Sequence, residues 1–96
     1  MRRLEWAAPA LDDLKAAGEY IAQDNPTAAR RMASRVREAV ELLQDQPNLG
    51  RPSRLADTKE LVVSGTPFVV VSRVRKGDAH IVRLLHHSLR WPCLPD

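Results

Sequence analysis

Leu61-Val62-Val63-Ser64-Gly65-Thr66-Pro67-Phe68-Val69-Val70-Val71-Ser72-Arg73-Val74-Arg75-Lys76-Gly77-Asp78-Ala79-His80-Ile81-Val82-Arg83-Leu84-Leu85-His86-His87 reads as three strands joined by two breaks. Its runs are rich in β-branched residues and bounded by Gly, Pro and Asp, which favour turns over extended chain. Lys76-Gly77-Asp78 is a three-residue connection containing Gly, a hairpin signal. The C-terminal half is therefore expected to be an antiparallel meander. Arg73, Arg75, Arg83, His86, His87 and, just beyond, Arg90 punctuate it with basic and imidazole side chains, so function is sought on this sheet or on what packs against it.

Upstream, Leu4-Glu5-Trp6 alternates apolar and charged residues like a short half-buried strand and is expected to join the meander at an edge. Pro9 suits the first position of a helix, and Asp12 and Asp13 place negative charge near the positive end of its dipole. Leu11, Leu14, Ala17, Gly18, Ile21 and Ala22 recur at helical spacing as one apolar stripe. Asp24-Asn25-Pro26 ends this helix, and Asn25 caps the next, with Pro26 at its first position. Ala29, Met32, Val36, Val40 and Leu43 form the second stripe, and Pro47 stops it. Two helices joined by so tight a turn make an αα-hairpin, whose stripes need the meander as a partner. The segment from Pro47 to Arg54 reads as a loop by its Pro, Gly and Asn content.

The expected fold class is thus α+β: a short N-terminal strand, an αα-hairpin and a three-stranded antiparallel meander, in a single domain over residues 1–96. A chain of 96 residues buries a core without disulfides or metal. A net charge of +3 and a pI near 9.6 favour acidic partners without choosing among them. Cys93 is the single cysteine, which excludes an internal disulfide and fits a reducing compartment. No apolar run approaches the roughly 18 residues of a membrane span. A cytoplasmic protein without membrane association is expected.

Candidate chemistry is sparse. No nucleotide-binding glycine motif, paired-carboxylate site or metal-ligand spacing is present, so no metal or cofactor is expected. Arg73 and Arg83 share a sheet face if Arg75 pairs with Ala79, which sets Arg73 opposite Ile81 and Arg83 opposite Val71; a slip of one residue separates them. They either solvate the sheet, pair with acids, or grip an anionic partner. His86 and His87 carry imidazoles, the side chain most used for acid–base chemistry, but adjacent residues point to opposite faces of a strand and cannot both serve one centre unless the strand ends between them. Arg51 is expected to bond loop carbonyls or a neighbouring acid. Arg35 with Glu38 and Arg37 with Glu41 sit at pairing distances on the second helix. Trp91 either covers the core or anchors an interface, where Trp and Arg are the usual anchors.

The order of these short motifs resembles the RelE/ParE superfamily of bacterial toxins. The matching residues are the leading strand; Asp12-Asp13-Leu14; Tyr20-Ile21-Ala22; Asn25-Pro26 with Ala28-Ala29-Arg30; Gly50-Arg51-Pro52; Glu60-Leu61-Val62; Pro67-Phe68-Val69-Val70 running into Arg73-Val74; Ile81 to His86; and Arg90-Trp91-Pro92. The resemblance implies the toxin of a type II toxin-antitoxin pair, silenced by a ParD-like antitoxin through which the complex binds operator DNA. Of its two branches, RelE-like members are ribosome-dependent messenger RNA endoribonucleases, whereas ParE-like members are not ribonucleases and are associated with poisoning DNA gyrase. In the ribonuclease branch an arginine follows the aromatic residue early in the third strand; here that position is Val69, which can neither neutralise a phosphate nor transfer a proton. A C-terminal tyrosine often serves that branch too, yet the only tyrosine is Tyr20. The expected function is therefore a non-enzymatic, ParE-like gyrase inhibitor, with Arg73, Arg83, His86, His87, Arg90 and Trp91 as its toxicity surface. The alternatives are a ribosome-dependent endoribonuclease with a rearranged site built on His86 or His87, and a degenerate member that only binds its antitoxin.

Overall fold

The computed structural model describes residues 3–53 and 56–86. The elements run β1 (Leu4–Trp6), α1 (Ala8–Asp24), α2 (Pro26–Asp45), β2 (Arg51–Pro52), β3 (Thr58–Val62), β4 (Phe68–Arg75) and β5 (Asp78–His86). They build an α+β fold in which the two helices cover one face of a five-stranded sheet ordered β1-β5-β4-β3-β2. The expected meander is β3-β4-β5. Two features depart from expectation. β1 does add at the edge, but parallel to β5, with Leu4 opposite Ala79 and Trp6 opposite Ile81, so the sheet is mixed. Arg51–Pro52, read as loop, forms a fifth strand pairing with Lys59 and Glu60. Two residues carry no periodicity, so only tertiary pairing could reveal them as a strand.

α2 follows its sequence pattern. Met32, Val36, Ala39, Val40 and Leu43 are buried, and Asn25 Oδ1 accepts from the Ala28 amide at 3.0 Å, which fixes the helix start. On its exposed face Arg35 pairs with Glu38 at 3.7 Å. α1 is phased differently from its expected stripe. Pro9 falls one residue inside the helix, Ala10 is fully buried, and Leu11 is half exposed. The residues that meet the core are Ala10, Leu14, Ala17 and Ile21, stepping by four, three and four. The phase is imposed by the approach: the Ala7 amide donates to the Ile81 carbonyl at 2.9 Å, tethering the helix start to β5. Between the helices and the sheet, these side chains meet Val63, Phe68, Val70, Ala79, Ile81 and Leu84.

The β4–β5 hairpin turns on Lys76 and Gly77, both at positive φ (53° and 82°), as a two-residue type I′ turn demands. Arg75 therefore pairs with Asp78, one residue tighter than expected. The register shifts between Val71 and Ser72, leaving Val82 unpaired as a bulge, and beyond it Val71 faces Arg83.

Gly50, at φ 108°, lies where a Cβ would stand 2.6 Å from the Glu60 carbonyl oxygen. The main chain of β2 and that of β3 can approach there only because the residue lacks a side chain. Gly50→Ala is expected to lower stability by on the order of 3 kcal/mol, the upper end for a disallowed backbone conformation, measured by urea denaturation.

Candidate functional site

Strand alternation assigns the basic residues to faces. Opposite residues share a face, and Val71 and Arg73 lie two apart on β4, so Arg73 (opposite His80 and Thr58) and Arg83 (opposite Val71) stand on the same face. That is the face away from the helices, because Val70 and Ile81, on the other, join the core. The two arginines thus share a face by a different route from the register first expected: the tight turn moves Arg73 opposite His80, and the Val82 bulge restores Val71 to Arg83.

Their surroundings differ. The Arg83 guanidinium grips Asp13 of α1 with two bonds, Nε to Oδ2 at 2.6 Å and Nη2 to Oδ1 at 3.0 Å. Asp13 Oδ2 also accepts the Leu84 amide at 3.0 Å. With Asp13 18% and Arg83 32% exposed, the pair is sheltered from water, and such bidentate pairing is both directional and strong. Arg73 is half-buried, and its Nε is buried with no hydrogen-bond partner. In the same row, Glu5 reaches His80 Nδ1 at 3.3 Å, across the β1–β5 pairing. Arg51 pairs with Glu60 at 3.6 Å, as expected of a structural loop arginine.

The remaining expected site residues do not converge with the arginines. His86 pairs with Phe68 and packs edge-on against its ring, centroids 5.5 Å apart at 78°. Phe68 belongs to the core, so His86 turns toward the helix side, where it lines a cavity of about 300 Å³ with Tyr20, Ile21, Met32 and Phe68. His87, Arg90 and Trp91 lie outside the described residues. Val69 is buried between Val62 and Leu85, an apolar strip across the face that carries Arg73 and Arg83. Among the described residues, no group of three or more His, Cys, Asp or Glu could hold a metal ion. No described helix is long and apolar enough to cross a membrane.

With this geometry, comparison with known proteins is decisive at the level of family. The family model described as the ParE toxin of the type II toxin-antitoxin system parDE matches residues 4–91. The chain belongs to the ParE toxin family. It is 36% identical over 91 residues to Y4kP of Sinorhizobium fredii, covering 95% of this chain and 94% of that one. It is 42% identical over 86 residues to Toxin RelE2 of Caulobacter vibrioides, covering 90% and 96%. Among solved structures, the chromosomal ParDE toxin-antitoxin system of P. aeruginosa superposes with a TM-score of 0.79 at 28% identity, over 90% of this chain and 96% of that one. The RelE/ParE superfamily resemblance is thereby established, and the chain is a toxin of a type II toxin-antitoxin system.

The residue that sequence reasoning missed in this ParE-family toxin is Asp13. It reads as a helix-dipole charge, a local role, but its partners lie 70 and 71 residues away. Its offset from the apolar stripe by one residue was the available signal. Asp13→Ala is expected to cost about 2–4 kcal/mol, because it removes two bonds from the sheltered Arg83 guanidinium and the acceptor of the Leu84 amide. Asp13→Asn, which keeps an acceptor for Leu84, is expected to cost less. Chemical denaturation of both, with the Asp13→Ala/Arg83→Ala pair for non-additivity, checks this; equal losses for Ala and Asn would contradict it.

Proposed function

We propose that this toxin arrests growth by inhibiting DNA gyrase, that it does so without cleaving RNA, and that a ParD-like antitoxin neutralises it. The observation that carries the reading is the environment of Val69. In the ribonuclease branch that position supplies a cation to the cleavage site. Here a valine is packed between Val62 and Leu85, and a strip of aliphatic side chains offers nothing to stabilise a phosphorane or move a proton. The separation of His86 from Arg73 and Arg83 supports the same conclusion, since an acid or base must reach the atoms that the cations hold. The family match and the ParDE relative favour the ParE-like branch.

The antitoxin's part follows from exposed apolar surface. Tyr20 is 75% exposed beside the cavity that holds Ile21, Met32 and Phe68, and Leu42 and Val62 are exposed beside a second, smaller one. An amphipathic antitoxin segment that folds as it binds would bury these side chains. Operator DNA would then be engaged chiefly through the antitoxin.

The similarity to Toxin RelE2 makes messenger RNA cleavage the rival to exclude. Induced alone in a bacterial host, the toxin is expected to cause filamentation and a DNA-damage response while pulse-labelled protein synthesis continues. Co-expressed antitoxin should abolish the effect. Immediate collapse of translation with cut messages would overturn the reading.

A further inference from the structure

Where the β2–β3 turn meets the β4–β5 hairpin tip, the sheet end opens into a cleft of about 900 Å³. Four cations line it: Lys59 from β3, Arg73 and Arg75 from β4, and Lys76 from the turn. Asp57 is the one acid among its described lining residues, and no ion pair there joins it to any of the four. Four cations against one acid leave the described lining with a net positive charge, and like charges gathered together raise one another's energy. That cost is relieved by an anionic partner from outside. We infer that this cleft is a binding site for the phosphate backbone of duplex DNA, contributed by the toxin itself.

The lining decides among anions. Among the described lining residues there is no aromatic side chain and the apolar members are Pro52 and Val74, which offer little of the apolar anchoring by which acidic peptides are held. Nor do the described lining residues offer the ring stacking on which single-stranded bases rest. It is an open groove of ammonium and guanidinium donors, with the Asn48 amide beside them, suited to successive phosphates regardless of sequence. Such contacts position a protein on DNA and release counterions. The inference stands apart from the gyrase reading, since it needs only naked duplex.

The test is fluorescence anisotropy of a short labelled duplex of arbitrary sequence titrated with the folded chain across a range of salt concentrations. Four phosphate contacts predict a slope of log K against log salt of about −3.6. Arg73→Ala and a Lys59→Ala/Arg75→Ala/Lys76→Ala triple variant should each bind more weakly, the slope shrinking by about 1 per cation removed. Arg30→Ala/Arg37→Ala, on the exposed face of α2, should leave the slope unchanged. Melting curves confirm that each variant is folded, and poly-glutamate serves as the competing anion. Absence of salt-dependent binding by the unaltered chain would overturn the inference. So would a slope unmoved in the folded triple variant, or displacement of duplex by poly-glutamate at lower concentration than by unlabelled duplex.

Discussion

The carboxylate of Asp13 joins the helical layer to the sheet at the point where the sheet would otherwise end. β1 is three residues long and β5 is nine, so β1 can pair with only the first part of its neighbour. Past Ile81 no strand among the described residues lies beside this edge of β5, and an unpaired, sheltered amide is costly. α1 takes over. Ala7 donates to Ile81, and two turns on, Asp13 accepts from Leu84 and from the Arg83 side chain. One carboxylate thus ties α1 to the edge of β5 and holds the Arg83 guanidinium with two bonds.

That constraint also bears on how the surface is read. Arg83, by sequence a toxicity candidate, is committed to Asp13, and Arg73, on the same face, keeps a buried Nε without a partner. The face they share is split into a row holding Arg73, His80 and Glu5, a row holding Arg83 and Val71, and the aliphatic strip through Val69. On this face Val69, Val71 and Leu85 are buried, while Arg73, His80, Glu5 and Arg83 remain at least partly exposed.

Much of the architecture was legible because it is local. The α2 stripe, the Asn25 cap and the three meander strands each rest on spacing or on one side chain's reach to its own backbone. What was illegible depends on residues far apart in the chain. The parallel sense of β1 is settled by where α1 must pack, and β2 exists only because Gly50 lets the main chain close on Glu60. The Val82 bulge leaves no trace in a run of β-branched residues, yet it decides that Arg83 faces Val71. The shared face of Arg73 and Arg83 was anticipated from a three-residue connection; the molecule reaches it through a two-residue turn and a bulge that offset one another.

Family membership follows from the sequence and fold together, but the target is a matter of chemistry at a surface, and that chemistry can be assayed directly. Purified gyrase, relaxed plasmid and the chain freed of antitoxin would be combined and scored for supercoiled, relaxed and cleaved DNA. Loss of supercoiling with trapped cleaved DNA, reversed on adding antitoxin, is the result expected of a ParE-like gyrase poison. Full supercoiling in the presence of demonstrably folded toxin would contradict it.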